Sequence, residues 1–260
     1  MGYVVGGTLG QDYGWRMPFY ASAVPGLLIV VFVGFWMREP VRGAAEHPKP
    51  TLAPYRITVM ALIRNPAYWT ATLGMAMMVF SMGGISVWMP TFLVRHGHYT
   101  LAGASQILGG ITVVDGIAGT WTGGWLAQRW LKRNHAALYL LSAWSVLLAT
   151  PFALLTFFGP RTAVVPCLAA AEFCLFLNTG PLNAAIVNAV AAPIRATAIA
   201  IELFMIHALG DAPSPRVIGW VSDRSSLQMG LAVTLITLLV SGMLLFAGAR
   251  FAPPLDAAAV

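Results

Sequence analysis

The sequence predicts an all-α integral membrane protein, and three observations carry that prediction. Of 260 residues, 58% are hydrophobic and only 9% charged, whereas a soluble domain carries roughly 25% charged residues. A soluble fold of this length could not hide so much apolar surface, so its solvent and first partner is the lipid bilayer. The apolar residues also fall into uncharged or nearly uncharged runs of the ~20 residues needed to cross a ~30 Å hydrocarbon core. Finally, the 15 Lys and Arg are scattered between those runs, where they read as a topology signal. They form no basic stripe with interleaved aromatics, which excludes nucleic acid as a partner despite the net charge of +6.

Residues 1–10 are hydrophobic and Gly-rich, with no basic segment ahead of them, and read as the tail of a helix rather than a signal peptide. Seven full spans follow. Runs 18–37 and 65–94 carry no charge, and 99–127 is interrupted only by Asp115. Run 136–158 closes at Gly159-Pro160, 162–194 contains Glu172, and 196–221 holds Glu202, Asp211 and Arg216. The last, 225–249, is uncharged. The longest connection, 38–65, combines Pro, charge and a short amphipathic stretch at 55–64 suited to the membrane surface. It divides the chain into 1–37, a linker 38–65, a six-helix block 66–252 and a tail 253–260.

Basic residues in alternate connections are unequal. Arg38, Arg42, Lys49, Arg56, Arg64, Arg129, Lys132, Arg133, Arg195 and Arg250 make ten on one side, against Arg16, Arg95, Arg161 and Arg224 on the other. The richer side is expected in the cytoplasm, with the C-terminus.

Several stretches resemble a known family. Gly6-Gly7-Thr8-Leu9 with Gly14-Trp15-Arg16 and Phe19, then Arg38-Glu39-Pro40, resemble the fifth and sixth helices of the major facilitator superfamily. Gly123-Gly124-Trp125-Leu126-Ala127-Gln128-Arg129, with Lys132 and Arg133, resembles its repeated basic loop, with Gln128 where an Asp is usual. Asn178-Thr179-Gly180-Pro181-Leu182-Asn183-Ala184 resembles the tenth helix of the bacterial Spinster-like branch. The eleventh is matched by Arg195-Ala196-Thr197-Ala198, Ile206-His207, Gly210-Asp211, Ser214-Pro215, Ile218-Gly219 and Ser222-Asp223-Arg224. The resemblance implies a major facilitator fold: the C-terminal six-helix bundle, the sixth helix and the end of the fifth, lacking helices one to four. It implies a multi-pass secondary transporter of the inner membrane that moves a small organic or lipid-like amphipathic solute by alternating access. The alternative is a truncated or accessory half-domain without transport of its own, needing the missing N-terminal helices as partner.

Ionisable groups inside hydrocarbon are costly and are candidate functional residues. His207 and Asp211 are spaced i, i+4, with Ser214 a turn further, so all three share a helical face. They either face the cavity, with His207 titrating near neutral pH, or hold two helices together. Glu172, Thr179 and Asn183 are expected on one face of the tenth helix, where Pro181 frees a backbone carbonyl and permits a bend. They line a pathway or bond between helices. Asp115 sits mid-span with Thr112 and Gly119 on its face, and either binds a proton or pairs with a neighbour. Protons are the expected coupling ion, because His207, Asp115, Glu172 and Asp211 titrate. Glu202, near the inner end of its span, is expected to meet Arg129 or Arg133 as a gate. The Met-rich run Met75, Met77, Met78, Met82 and Met89 with Trp88 suits either a lipid-like ligand or packing. No hydrolytic triad, metal-ligand spacing or phosphate-cradling loop appears, so neither an enzyme nor a cofactor is implied. Cys167 and Cys174, seven residues apart in one helix, are too distant for a disulfide.

Overall fold

The structure is a computed structural model describing residues 12–37 and 62–254, together with Gly6, Leu9, Gly10 and Met60. Most of the predicted linker, including much of the amphipathic 55–64 stretch, lies outside the described residues. So do most of residues 1–10 and the end of the tail.

Every described regular element is helical, and seven spans are long and apolar enough to cross a membrane. They are α1 (Met17–Trp36), α2 (Pro66–Gly97), α3 (Leu101–Leu131), α4 (Ala137–Phe158), a span composed of α5 (Val164–Leu177) and α6 (Thr179–Asn188), a span composed of α7 (Arg195–Ile206) and α8 (Ser214–Arg224), and α9 (Leu227–Ala249). Local chemistry sets several starts. Asn65, Thr100 and Ser226 accept the first-turn amides of Tyr68, Gly103 and Met229, the N-cap role of short polar side chains. Proline occupies the first turn of α1, α2 and α8, where its missing N–H costs nothing. Helix α2 stops where His98 turns left-handed, at φ 53°.

The bundle is held by close packing and interhelical hydrogen bonds, as expected where lipid removes any hydrophobic drive between helices. Helix α9 lies against α2 and α4, α4 against α5, and α5 against α3. On the α2–α9 seam, Ser241 donates to the Gly74 carbonyl at 2.6 Å, while Ser81 donates to the Thr234 carbonyl at 3.0 Å. Tyr68 reaches the Ala198 carbonyl and Tyr139 the Ala67 carbonyl. Met75, Met78 and Met89 are buried in this core, and Trp88 donates to the Pro215 carbonyl, which favours the packing reading of that run. No residue of α1 is buried.

Helices α2 and α3 extend past the apolar runs that end at 94 and 127, with Arg95 and Arg129 in their last turns. The span expected to bend at Pro181 breaks at Asn178, and the span 196–221, read as continuous, is interrupted at 207–213; these two segments hold most of the candidate residues.

Candidate functional site

The break between α5 and α6 follows from Pro181. Its missing N–H leaves the Leu177 carbonyl without the i+4 donor, and the two helices meet at Asn178 instead of running through. The freed carbonyl lies against the Gly123 Cα of α3, where a Cβ would overlap it. Asn178 is fully buried, and neither side-chain amide atom has a hydrogen-bond partner.

On either side of this break, Glu172, Thr179 and Asn183 differ in burial. Glu172 is buried, Thr179 half-buried and Asn183 exposed, its amide donating back to the Thr179 carbonyl at 2.7 Å. Glu172 instead joins α3: Thr112 Oγ1 donates to its Oε2 at 2.9 Å. One turn along α3, Asp115 is only 8% exposed, and its Oδ2 has no hydrogen-bond partner. Glu172 and Thr112 open on a cavity of about 80 Å³ between α2, α3 and α5, otherwise lined by Ser86 and apolar side chains such as Met82, Ile85 and Leu108.

The second polar cluster lies between α7 and α8. Residues His207–Asp211 form one π-helical turn, closed by the Ala212 amide bonding the His207 carbonyl five residues back at 3.2 Å. Single π turns within α-helices are frequent at functional sites. Here the turn places His207 Nδ1 3.0 Å from both carboxylate oxygens of Asp211. The pair is open, with the two side chains 63% and 41% exposed. Ser214 is buried behind it and donates to the Asp211 carbonyl. Helix α2 approaches this turn so closely that a Cβ on Gly83 would stand 2.6 Å from Asp211 Cβ.

The expected gate is not assembled. Glu202 is buried on α7 with its Oε1 unpartnered, while Arg129 is exposed and stacked over Trp125 at 4.2 Å. Arg133 is exposed beyond the end of α3. Among the described residues the one carboxylate–base pair within 4 Å is His207–Asp211. Arginine held by stacking at the membrane edge can stay solvated, whereas reaching Glu202 would bury its charge.

Sequence reasoning thus singled out the His207–Asp211 pair and the residues of the Thr112–Glu172 contact, but not the latter's bond, and Ser214 lies buried behind the pair rather than open beside it. It missed Asn178 as a buried polar group and the π turn. Pro181 and Gly123 were visible signals for the first; nothing in the residue pattern marks the second. Cys167 and Cys174 are both free.

The family model described as Major Facilitator Superfamily matches residues 1–215. Spinster homolog 1 of Xenopus tropicalis is 31% identical over 250 residues, covering 89% of this chain and 47% of that protein. The sphingosine-1-phosphate transporter SPNS2 of Danio rerio is 31% identical over 254 residues, covering 90% and 50%. The chain therefore spans about half the length of the curated relatives it matches. Among solved structures, a bacterial homolog of the human lysosomal transporter Spinster, inward-facing and unoccupied, aligns with a TM-score of 0.76 at 19% identity, over 92% of this chain and 60% of that one. The E. coli fucose:proton symporter FucP aligns at 0.67 and 17%, over 94% and 58%. At these identities the structural likeness is one of fold.

Proposed function

The chain belongs to the major facilitator superfamily, and on that premise we propose that it serves secondary transport of a small organic or lipid-like amphipathic solute by alternating access, coupled to protons. The observation that carries this reading is the open His207–Asp211 pair on a π turn in an apolar span. An exposed imidazole–carboxylate contact costs too much in hydrocarbon to face lipid, so it belongs on the surface that two rocking bundles enclose. His207 supplies the imidazole of the pair, and Ser214 donates to the Asp211 carbonyl beneath it. Thr179 and Asn183 extend the polar lining along α6, and Glu172 with Asp115 supplies buried acid behind it. Glu202 with Arg129 and Arg133 is the gate proposed for another state of the cycle, in which α3 and α7 approach at their inner ends. The substrate class rests on the similarity to spinster homologs and the sphingosine-1-phosphate transporter; proton coupling is the chemistry of a fold neighbour, the fucose:proton symporter.

The test is uptake of sphingosine-1-phosphate, with fucose as the contrasting probe, into proteoliposomes under an imposed pH gradient. His207→Ala and Asp211→Asn are expected to abolish gradient-driven uptake while the protein stays monodisperse in detergent. Loss of folded protein in both variants would instead make the pair a structural tie.

A further inference from the structure

The proton-coupled reading leaves open where a proton is kept, and the interior of the bundle holds a more protected place than the open His207–Asp211 pair. Glu172 on α5 and Asp115 on α3 are each only 8% exposed. Asp115 lies one turn along α3 from Thr112, the residue bonded to Glu172, so the two carboxyl groups share the α3–α5 interface. Glu172 takes one hydrogen bond, from Thr112, and Asp115 leaves Oδ2 with none. The elements packed around them are α2, α3, α4, α6 and the short turn Arg161–Ala163. Their titratable groups are few. Helix α2 has Tyr68 near one end and Arg95 and His96 at the other, and α4 has only Tyr139; α6 has none. On α3, Arg129 is fourteen residues from Asp115, about 21 Å along the helix at ~1.5 Å per residue. Arg161 is engaged with the Gly97 carbonyl. Besides the acids, α5 offers only the thiols Cys167 and Cys174. No described cation therefore faces the two carboxylates.

Two neighbouring carboxylates in a low-dielectric interior cannot both remain ionised without a counter-charge. The cavity beside Glu172 matters here. Its ~80 Å³ exceeds the ~10–15 Å³ that one water needs, and Glu172 and Thr112 supply polar partners. It offers a proton a hydrated path to the acid. Its wall is otherwise apolar, which gives too few oxygens to cage a metal cation.

We propose that Glu172 and Asp115 hold one proton between them, making the α3–α5 interface, reached through the cavity beside Thr112, the proton store of this bundle. The inference rests on the proton-coupled reading for its use, not for its existence. Infrared difference spectroscopy of the chain in nanodiscs reads it directly, by the carbonyl stretch of a protonated carboxylic acid and its downshift in deuterium oxide. A Glu202→Gln background removes the other buried carboxylate described in the bundle. At neutral pH one such band is expected. Thr112→Val, which keeps both acids, should shift it upward by removing the hydrogen bond to Glu172. Asp115→Asn and Glu172→Gln should each shift or remove it, and the double variant should lose it. Absence of the band in the parent, its persistence in the double variant, or its indifference to Asp115→Asn overturns the shared proton. Loss of the band on adding sodium would make the site a metal-cation site and also overturn it. A band without proton-driven uptake leaves the store intact and sinks the transport reading; proton-driven uptake without a band does the reverse.

Discussion

At the scale of single residues, hydroxyl groups do two kinds of work in this bundle. Ser241 and Ser81 spend theirs on a neighbouring helix's carbonyl, which ties α2 to α9 at fixed register. Thr112 spends its hydroxyl on a carboxylate and so conditions an acid. The two kinds should separate experimentally. Ser241→Ala is expected to lower stability by about 0.6 kcal/mol, the average for interhelical hydrogen bonds in a membrane protein, with uptake by the folded fraction unchanged. Unfolding titrations in mixed micelles check this, and a loss beyond about 2 kcal/mol would mean that the α2–α9 seam repacks around the missing hydroxyl. Ser81, Ser241 and Thr112 look alike in the sequence, since each is a small polar residue in an apolar run. Which carbonyl or carboxylate each meets depends on how another helix is rotated, and no local pattern encodes that.

At the scale of elements, the broken spans are the informative ones. Pro181 removes one donor, and the freed Leu177 carbonyl is accommodated because Gly123 on α3 has no side chain to obstruct it. Gly123→Ala should therefore cost about 1–3 kcal/mol, the range for overpacking a tight interface, seen as a lower melting temperature in detergent. Gly124→Ala, at a position with nothing within 4 Å, should hold or raise the melting temperature, since alanine loses less backbone entropy than glycine in a helix. An equal fall in melting temperature at the two positions would argue against the α3–α5 contact as the source of the cost. The bend was readable from Pro181. The π turn was not, since His207–Asp211 has ordinary helical spacing and the extra residue is absorbed where α2 presses against Asp211. An i, i+4 pair looks the same on paper whether its turn is α or π.

At the scale of the whole molecule, seven spans and the asymmetry of ten basic residues against four lead to the proposed topology, with the C-terminus in the cytoplasm of the host cell and the protein in its inner membrane. A single cysteine at Ala252, in a background with Cys167 and Cys174 replaced by alanine, tests it. The thiol should react with a membrane-impermeant maleimide in inverted vesicles and remain unlabelled in intact cells. Labelling in intact cells would reverse the orientation. The exposure of α1, none of which is buried, belongs to this scale as well: its apolar length makes it a span, and nothing in the described bundle covers it.

The amino-acid sequence by itself determined the membrane as solvent, the number of spans and the resemblance to the major facilitator superfamily. Those follow from hydrophobic run length, from charge placement and from motifs read along one dimension. Only the tertiary structure decided that Glu172 answers to Thr112 and Asp115 rather than to Thr179 and Asn183, and that Glu202 stands apart from Arg129 and Arg133. The reason is physical. Inside lipid, a polar side chain takes whatever partner the packing of small residues brings within 3 Å, and that packing is set between helices far apart in the chain.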